Sequence, residues 1–249
     1  MDEIESDLRV IHQWQPRAHR IFLTGANPFV LSVSRLTDIA LLIRKYVNKG
    51  HPTIGCFSRI TDIRPKSVEE LQQLRYLGFD FLTIGVESGH SDTLMRANKG
   101  YKAEDVIEQC QKLEKAGIRY NIFYIAGLAG HGKGIQNALH SANVFNQLNP
   151  ACILMMSLTI FPESQLYHEM QIGEFQEPTE YERIDEMVCL IKNLNCHTHI
   201  MGRTVSNPVP FTGYLPTDRW NLLKDLQMIK DLFQEEELKA YRNRIDSFN

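Results

Sequence analysis

The stretch SVEELQQLRYLGFDFLTIGVESG, residues 67–89, sets the reading of the chain. Ser67 and Glu70 stand three apart as a capping box ahead of Val68, Leu71, Leu74 and Leu77, whose spacing is that of a core-facing helix. Gly78 follows, where a helix C-terminus takes a left-handed residue. Phe81 to Glu87 then predicts a strand that ends in the turn Glu87-Ser88-Gly89. A helix handing over to a strand and a strand to a glycine turn is one period of an α/β fold.

Working outward, the same period recurs. On the N-terminal side, Ile4, Leu8 and Ile11 predict an opening amphipathic helix, with Asp2 and Glu5 as its capping pair. A strand follows from Ile21 to Thr24, ending at Gly25. Leu36, Ile39, Ala40, Ile43 and Val47 predict a helix stopped by Gly50, and Thr53 to Ser58 the next strand. On the C-terminal side, Val106, Ile107, Cys110 and Leu113 mark a helix ending at Gly117. Arg119 to Ala126 reads as strand, Ile135 to Leu148 as helix and Cys152 to Phe161 as strand. Strand starts at 21, 53, 81, 119 and 152, with a helix in each gap, are the signature of right-handed βα units and a parallel sheet. The rhythm stops there. Leu222, Leu223, Leu226, Ile229 and Leu232 predict one long amphipathic helix, with Glu235, Glu236 and Glu237 as a solvated face. Residues 1–161 therefore read as the α/β body, and residues 162–249 as a C-terminal extension packed on the same domain.

Composition narrows the functional classes. The 249 residues are 43% hydrophobic and 23% charged with a net charge of −3, which excludes disordered, collagen-like and coiled-coil chains. The acidic balance without a Lys/Arg run argues against nucleic acid as the main partner. The opening MDEIESDL lacks the basic and apolar segments of a secretion signal, and the longest apolar run, Ala151 to Met156, is too short to span a bilayer. A cytoplasmic protein with no membrane partner is the expectation. Cys56, Cys110, Cys152, Cys189 and Cys196 are odd in number and scattered, so neither a disulfide framework nor a metal knuckle is expected. In Cys196-His197-Thr198-His199 a strand would throw both histidines to one side, but a structural zinc site needs four ligands and no second pair is visible.

In parallel α/β folds the chemistry sits where strands hand over to helices. Those turns carry Gly25-Ala26-Asn27-Pro28, Ser58-Arg59, Glu87-Ser88-Gly89, the run Gly127 to Gly134, and Pro162-Glu163-Ser164. Gly127 to Gly134 reads G-x-x-x-x-G-K-G, close to a phosphate-cradling loop that would make the chain a nucleotide binder. It departs at Gly134, where Ser or Thr should supply the magnesium-ligating hydroxyl, and the following strand ends without an Asp for the metal.

Several stretches together resemble the radical S-adenosylmethionine (radical SAM) enzymes. They are Arg20 to Pro28 (RIFLTGANP), Ile84 to Gly89 (IGVESG), Asn98-Lys99-Gly100, Ile125 to Gly130 (IAGLAG), and Phe161 to Tyr167 (FPESQLY). The resemblance covers nearly the whole chain and is specific only in combination. It implies a partial (β/α)6 TIM-like barrel, in which a first strand leads into a Cys-x3-Cys-x2-Cys loop. That loop holds a [4Fe-4S] cluster whose unique iron takes the amino and carboxyl groups of SAM, and the reduced cluster yields a 5′-deoxyadenosyl radical. Here the sequence begins in what would be the first helix. The resemblance thus implies an N-terminally truncated barrel lacking its first strand. The cluster would then be present only if that segment is supplied, and the chain alone would be inactive. Ala26 and Asn27 stand where related proteins carry a second glycine and an acid, and Pro162-Glu163-Ser164 where they often read Pro-Gly-Thr.

Carried over position by position, the resemblance assigns Gly25, Ala26 and Asn27 to the SAM amino group, with the neutral Asn27 amide losing an acid's charge assistance. Glu87 would bond ribose hydroxyls, Lys99 the SAM carboxylate, Ser58 and Arg59 would add polar contacts, and the turn at Gly127 and Leu128 would let backbone approach adenine. The substrate is left open, because its choice resides in the appended segment. Two other classes compete: an α/β barrel lyase, against which no lysine ends a predicted strand, and a ligand-binding module without chemistry. The missing strand also implies that Ile21 to Thr24 presents an unpaired edge, a template for self-association.

Overall fold

The computed structural model describes residues 1–15, 17–47 and 52–245. In chain order the elements are α1 (Asp2–Trp14), β1 (Arg20–Leu23), a 3-10 turn (Pro28–Val30), α2 (Val33–Tyr46), β2 (Thr53–Arg59), α3 (Ile60–Ile63), α4 (Val68–Leu77) and β3 (Phe79–Glu87). There follow α5 (Ser91–Arg96), α6 (Ala103–Lys115), β4 (Arg119–Ala126), α7 (Gly134–Phe145), β5 (Cys152–Ser157), α8 (Gln165–Gln171) and α9 (Glu180–Asn193). The chain closes with β6 (Thr198–Met201), β7 (Thr212–Leu215), α10 (Arg219–Leu232) and α11 (Glu235–Arg242). The seven strands among the described residues are hydrogen-bonded in chain order, from β1 at one end to β7 at the other. β1 with β2, β2 with β3 and β5 with β6 pair in parallel, and β6 with β7 antiparallel. This is the expected α/β architecture, with a sheet that is mostly parallel and antiparallel at β7.

The chain divides into two units, residues 1–85 with 108–121, and residues 86–107 with 122–249. In the first, α2 turns Leu36, Ile39, Ala40 and Ile43 inward and α4 turns Leu71, Leu74 and Leu77, against Ile54 and Cys56 of β2 and Leu82 and Ile84 of β3. Each of these Leu and Ile side chains contributes roughly 1.5–3 kcal/mol on burial. The capping box of α4 forms as expected: Ser67 N–H donates to Glu70 Oε2 at 2.7 Å and Glu70 N–H to Ser67 Oγ at 3.2 Å, and Gly78 closes the helix at φ 113°. Lys112 of α6 donates to the carbonyls of Ile63, Arg64 and Lys66, which fastens the end of α3. Arg119 clamps the Asp80 carboxylate with bonds of 2.9 and 3.0 Å.

In the second unit, β5 and β6 pair through Cys152–His199, Ile153–Ile200 and Leu154–Met201, and β7 folds back on β6. Residues 162–249 belong wholly to this unit. Helices α7 and α9 bury Ala138, Ala142 and Phe145 and Ile184, Met187, Leu190 and Ile191 respectively.

Several boundaries differ from the sequence expectation, each for a local reason. Met1 is the N-cap of α1 and makes no side-chain cap bond; Asp2 lies inside the first turn, where its charge still complements the helix dipole. β3 starts at Phe79, two residues early, because Ile54 N–H takes the Gly78 carbonyl and Phe79 pairs with Ile54 directly after the helix cap. β5 ends at Ser157 rather than Phe161: the Leu158 carbonyl accepts from Arg183 and Arg242 guanidinium groups, which take it out of the ladder. The long C-terminal helix stops at Leu232, and Glu235–Arg242 forms a separate helix. β6 and β7 lie in residues 162–249, beyond the thirty-residue βα period that would have placed them. The stop assigned to Gly50 lies outside the described residues.

Candidate functional site

The turn after β1 runs Gly25-Ala26-Asn27-Pro28, with Gly25 at φ 87°. Asn27 Nδ2 donates to Asp62 Oδ2 at 2.5 Å, and the same oxygen accepts from the Arg59 backbone N–H at 2.7 Å. Arg59 also reaches Asp62 with its guanidinium, Nη2 to Oδ1 at 3.1 Å. Asp62 is buried while the Arg59 side chain is 60% exposed, so the carboxylate is held mainly by the Asn27 amide and the backbone. Lys66, also buried, donates from Nζ to the Phe29 carbonyl at 2.8 Å and the Asp62 carbonyl at 2.9 Å and lies 4.7 Å from the centre of the Phe29 ring. Burial lowers its pKa below the ordinary lysine value. These contacts hold the 3-10 turn against α3.

One atom in this turn is left over. Asn27 Oδ1 is buried and has no hydrogen-bond partner among the described residues, a state that costs about 1–3 kcal/mol unless a donor arrives. Gly25 to Pro28 also line a groove of about 540 Å3 that continues along β1 over Ile4, Leu8, Ile11, Ile39 and Ile43. Ser58 is buried and donates its hydroxyl to the Arg59 carbonyl at 3.0 Å. In the first unit, then, Asn27 and Arg59 are brought together by Asp62. Sequence reasoning missed Asp62 and Lys66, although an acid three residues after Arg59 carries a helix-start signal.

In the second unit the structure joins two predicted residues. Glu87, at the end of β3 with φ 67°, receives Lys99 Nζ at 2.5 Å on Oε2. Both side chains are about one quarter exposed. Ser88, next in the chain, is fully buried and donates to Asn137 Oδ1 at 2.6 Å, while Gly89 N–H donates to Ser141 Oγ at 2.8 Å. Arg96, three residues before Lys99, pairs with Glu169 at 2.9 Å and lies 4.3 Å from the centre of the Phe175 ring.

Gly127 and Leu128 are engaged differently from the expectation of an open backbone. Gly127 N–H donates to Glu186 Oε2 at 2.8 Å, and Leu128 is buried with Leu158 and Phe175. Gly132 N–H donates to Glu182 Oε1 at 2.8 Å, and His131 Nδ1 lies 2.8 Å from Glu182 Oε2. Two carboxylates thus hold amides that a phosphate-cradling loop would offer to its anion, which argues against nucleotide binding here. Sequence reasoning missed Glu182 and Glu186 because they come from α9, some fifty residues away.

No group of three or more His, Cys, Asp or Glu side chains among the described residues is arranged to hold a metal ion. Cys56 sits in β2, Cys110 in α6, Cys152 in β5, Cys189 in α9 and Cys196 before β6. Burial pushes Cys56 up to about 12 and Cys152 to about 11. Thiols so dispersed and so weakly acidic do not fit the three-thiolate set of an iron–sulfur cluster. In the Cys196–His199 run, His199 Nε2 bonds Thr212 Oγ1 at 2.7 Å and its ring stacks on Tyr214.

Comparison with known proteins gives a consistent picture. The model of the Radical SAM superfamily matches residues 1–138. The heme chaperone HemW of Bacillus subtilis is 24% identical over 183 residues, which cover 74% of this chain and 48% of HemW. Among solved structures, coproporphyrinogen III oxidase (HemN) from Escherichia coli, a radical SAM enzyme, superposes with a TM-score of 0.58 at 16% identity, over 75% of this chain and 43% of HemN. The Elp3 protein of Methanocaldococcus infernus, with residues 1–46 deleted, gives a TM-score of 0.56 at 16% identity, over 76% of this chain and 48% of Elp3. The chain spans about half the length of the HemW relatives it matches.

Proposed function

The chain belongs to the radical SAM superfamily, and from that premise we propose that its strand-end turns bind S-adenosylmethionine. The observation that carries the reading is the buried Asn27 Oδ1, without a partner among the described residues, in the turn that the resemblance assigns to the SAM amino group. An ammonium donor would satisfy that atom. Asp62, bonded to the Asn27 amide nitrogen, polarises the amide and restores part of the negative charge that Asn27 lacks as a neutral side chain. Gly25 and Ala26 would offer backbone carbonyls, and Ser58 and Arg59 further polar contacts.

Glu87 is the proposed partner of the ribose hydroxyls and Lys99 of the SAM carboxylate. Their ion pair supports the assignment by keeping an anion and a cation at one turn, Lys99 able to trade the Glu87 carboxylate for the ligand's and Glu87 able to accept from hydroxyls instead of the ammonium. Gly127 and Leu128 are proposed to bound the adenine side by shape, since the Gly127 N–H is already held.

In this superfamily SAM and a [4Fe-4S] cluster together supply a 5′-deoxyadenosyl radical. The cysteines of residues 1–249 do not form the ligand set, so the cluster would have to be completed by thiolates outside these residues. Alone, the chain acts as a ligand-binding module, the second reading that the dispersed cysteines favour. Residues 162–249 would select the substrate. The five free cysteines suit a reducing cytoplasm, and no described helix is long and apolar enough to cross a membrane. Among the described residues β1 stands at one end of the strand order, beside β2, and we assign its other edge to self-association.

The test sorts the ligand by parts. In calorimetry, Asn27→Ala should weaken SAM and leave adenosine, which has no ammonium, unchanged. Glu87→Gln should weaken both. Equal heats in all three proteins would remove these residues from the site.

A further inference from the structure

Glu186 of α9 is buried, and its carboxylate meets three donors. Tyr124 Oη donates to Oε1 at 2.6 Å, Asn137 Nδ2 donates to Oε1 at 2.7 Å, and Gly127 N–H donates to Oε2 at 2.8 Å. Asn137 does not end there. Its Oδ1 accepts from Ser88 Oγ at 2.6 Å, and Ser88 Oγ in turn accepts from His90 N–H at 2.9 Å. Asn137 is 0% exposed, as is Ser88, so water cannot substitute for either bond. A continuous, dry line of hydrogen bonds therefore runs from the C-terminal segment to the residue that follows Glu87.

We infer that Glu186 is a positioning residue: it fixes the Gly127 turn directly and sets the Glu87 turn through Asn137 and Ser88. The consequence for ligand affinity rests on the SAM reading above.

The glycines of the Gly127 run fit this role. A Cβ on Gly134 would stand 2.8 Å from Glu186 Oε2, and one on Gly127, at φ 90°, would stand 2.7 Å from Arg183 Nη1. Both positions are glycine because α9 approaches the backbone there, with no phosphate needed to explain them. Glu87 itself holds φ 67°, a conformation that is strained for a non-glycine residue and persists only where its surroundings enforce it. The Ser88–Asn137–Glu186 line is that enforcement. Burial raises the Glu186 pKa while the three donors and Arg183 favour its ionised form.

The experiment uses the full chain, with adenosine as the probe. In amide NMR spectra, Glu186→Gln should shift the Gly127 resonance upfield, since a neutral acceptor replaces a charged one, and should also shift Ser88 and His90. Adenosine affinity should fall about tenfold, the loss of one well-placed hydrogen bond, with unchanged circular dichroism. Ser88→Ala should lower adenosine affinity similarly and leave the Gly127 resonance in place. Wild-type Ser88 and His90 resonances in a folded Glu186→Gln protein would overturn the inference. If wild-type protein takes up no adenosine, the SAM reading fails, while coupled shifts at Gly127 and Ser88 still uphold the positioning role. If Glu186→Gln does not fold, Ser88→Ala decides: wild-type affinity in it overturns the claim, and a tenfold loss supports it.

Discussion

Lys99 Nζ stands 2.5 Å from Glu87 Oε2, joining the two residues that the sequence nominates separately for ribose and for carboxylate. The pair is about a quarter exposed on each side, so its net stability contribution is small, about 0–1 kcal/mol. Lys99→Met and Glu87→Gln should each shift the urea midpoint only slightly while changing ligand affinity. A loss of several kcal/mol in either variant would make the pair a folding element rather than a ligand site.

Asp62 holds the other turn. Asp62→Ala removes the acceptor of the Asn27 amide and of the Arg59 N–H, two half-buried donors that water can partly satisfy, at about 0.5–1.5 kcal/mol each. Denaturant unfolding should show a loss in that range. A variant as stable as wild type would mean that the Gly25–Pro28 turn does not depend on Asp62.

A pH dependence follows from His90. Burial, and after it the stacked His140 ring with centroids 4.4 Å apart, lowers its pKa, against the opposing pull of Asp92. A base with a lowered folded pKa is stabilising above its unfolded value of about 6.5, and that stability is lost as pH falls toward the folded pKa. Melting temperature should therefore decline as pH falls below about 6.5, less steeply in His90→Asn. Identical pH profiles for the two proteins would count against this.

The free edge of β1 gives a fourth prediction. Phe22 is 42% exposed on this strand, and the groove beside it is lined by Ile4, Ile11 and Ile21. Size-exclusion of the wild-type chain should show concentration-dependent association, reduced in Phe22→Lys, which places a charge on the edge. A dilution-stable monomer would show that the edge does not pair.

Most of the framework was legible because its signals are local: the Ser67–Glu70 box, Gly78 and the thirty-residue strand period need only neighbours in sequence. β6 and β7 were not legible because they follow the end of the thirty-residue βα period, so no rhythm places them, whereas the equally short β1 lies within it. At the candidate site, motif position nominates Gly25, Asn27, Glu87 and Lys99, and the structure adds their contacts, Asn27 to Asp62 and Glu87 to Lys99. Asp62 and Glu186 were not legible, since each matters through a bond to a residue 35 or 59 positions away. The Gly127 run looked like a phosphate loop because sequence shows which residues are glycine and not what approaches them.

The most direct measurement is calorimetric titration of the wild-type chain with SAM. Without cluster iron to anchor its amino acid end, binding should be weak but saturable, with a Kd of about 0.1–1 mM, or roughly −4 to −5.5 kcal/mol, and weaker still in Asn27→Ala. No saturable heat up to several times that concentration, with wild-type and variant traces alike, would contradict the account.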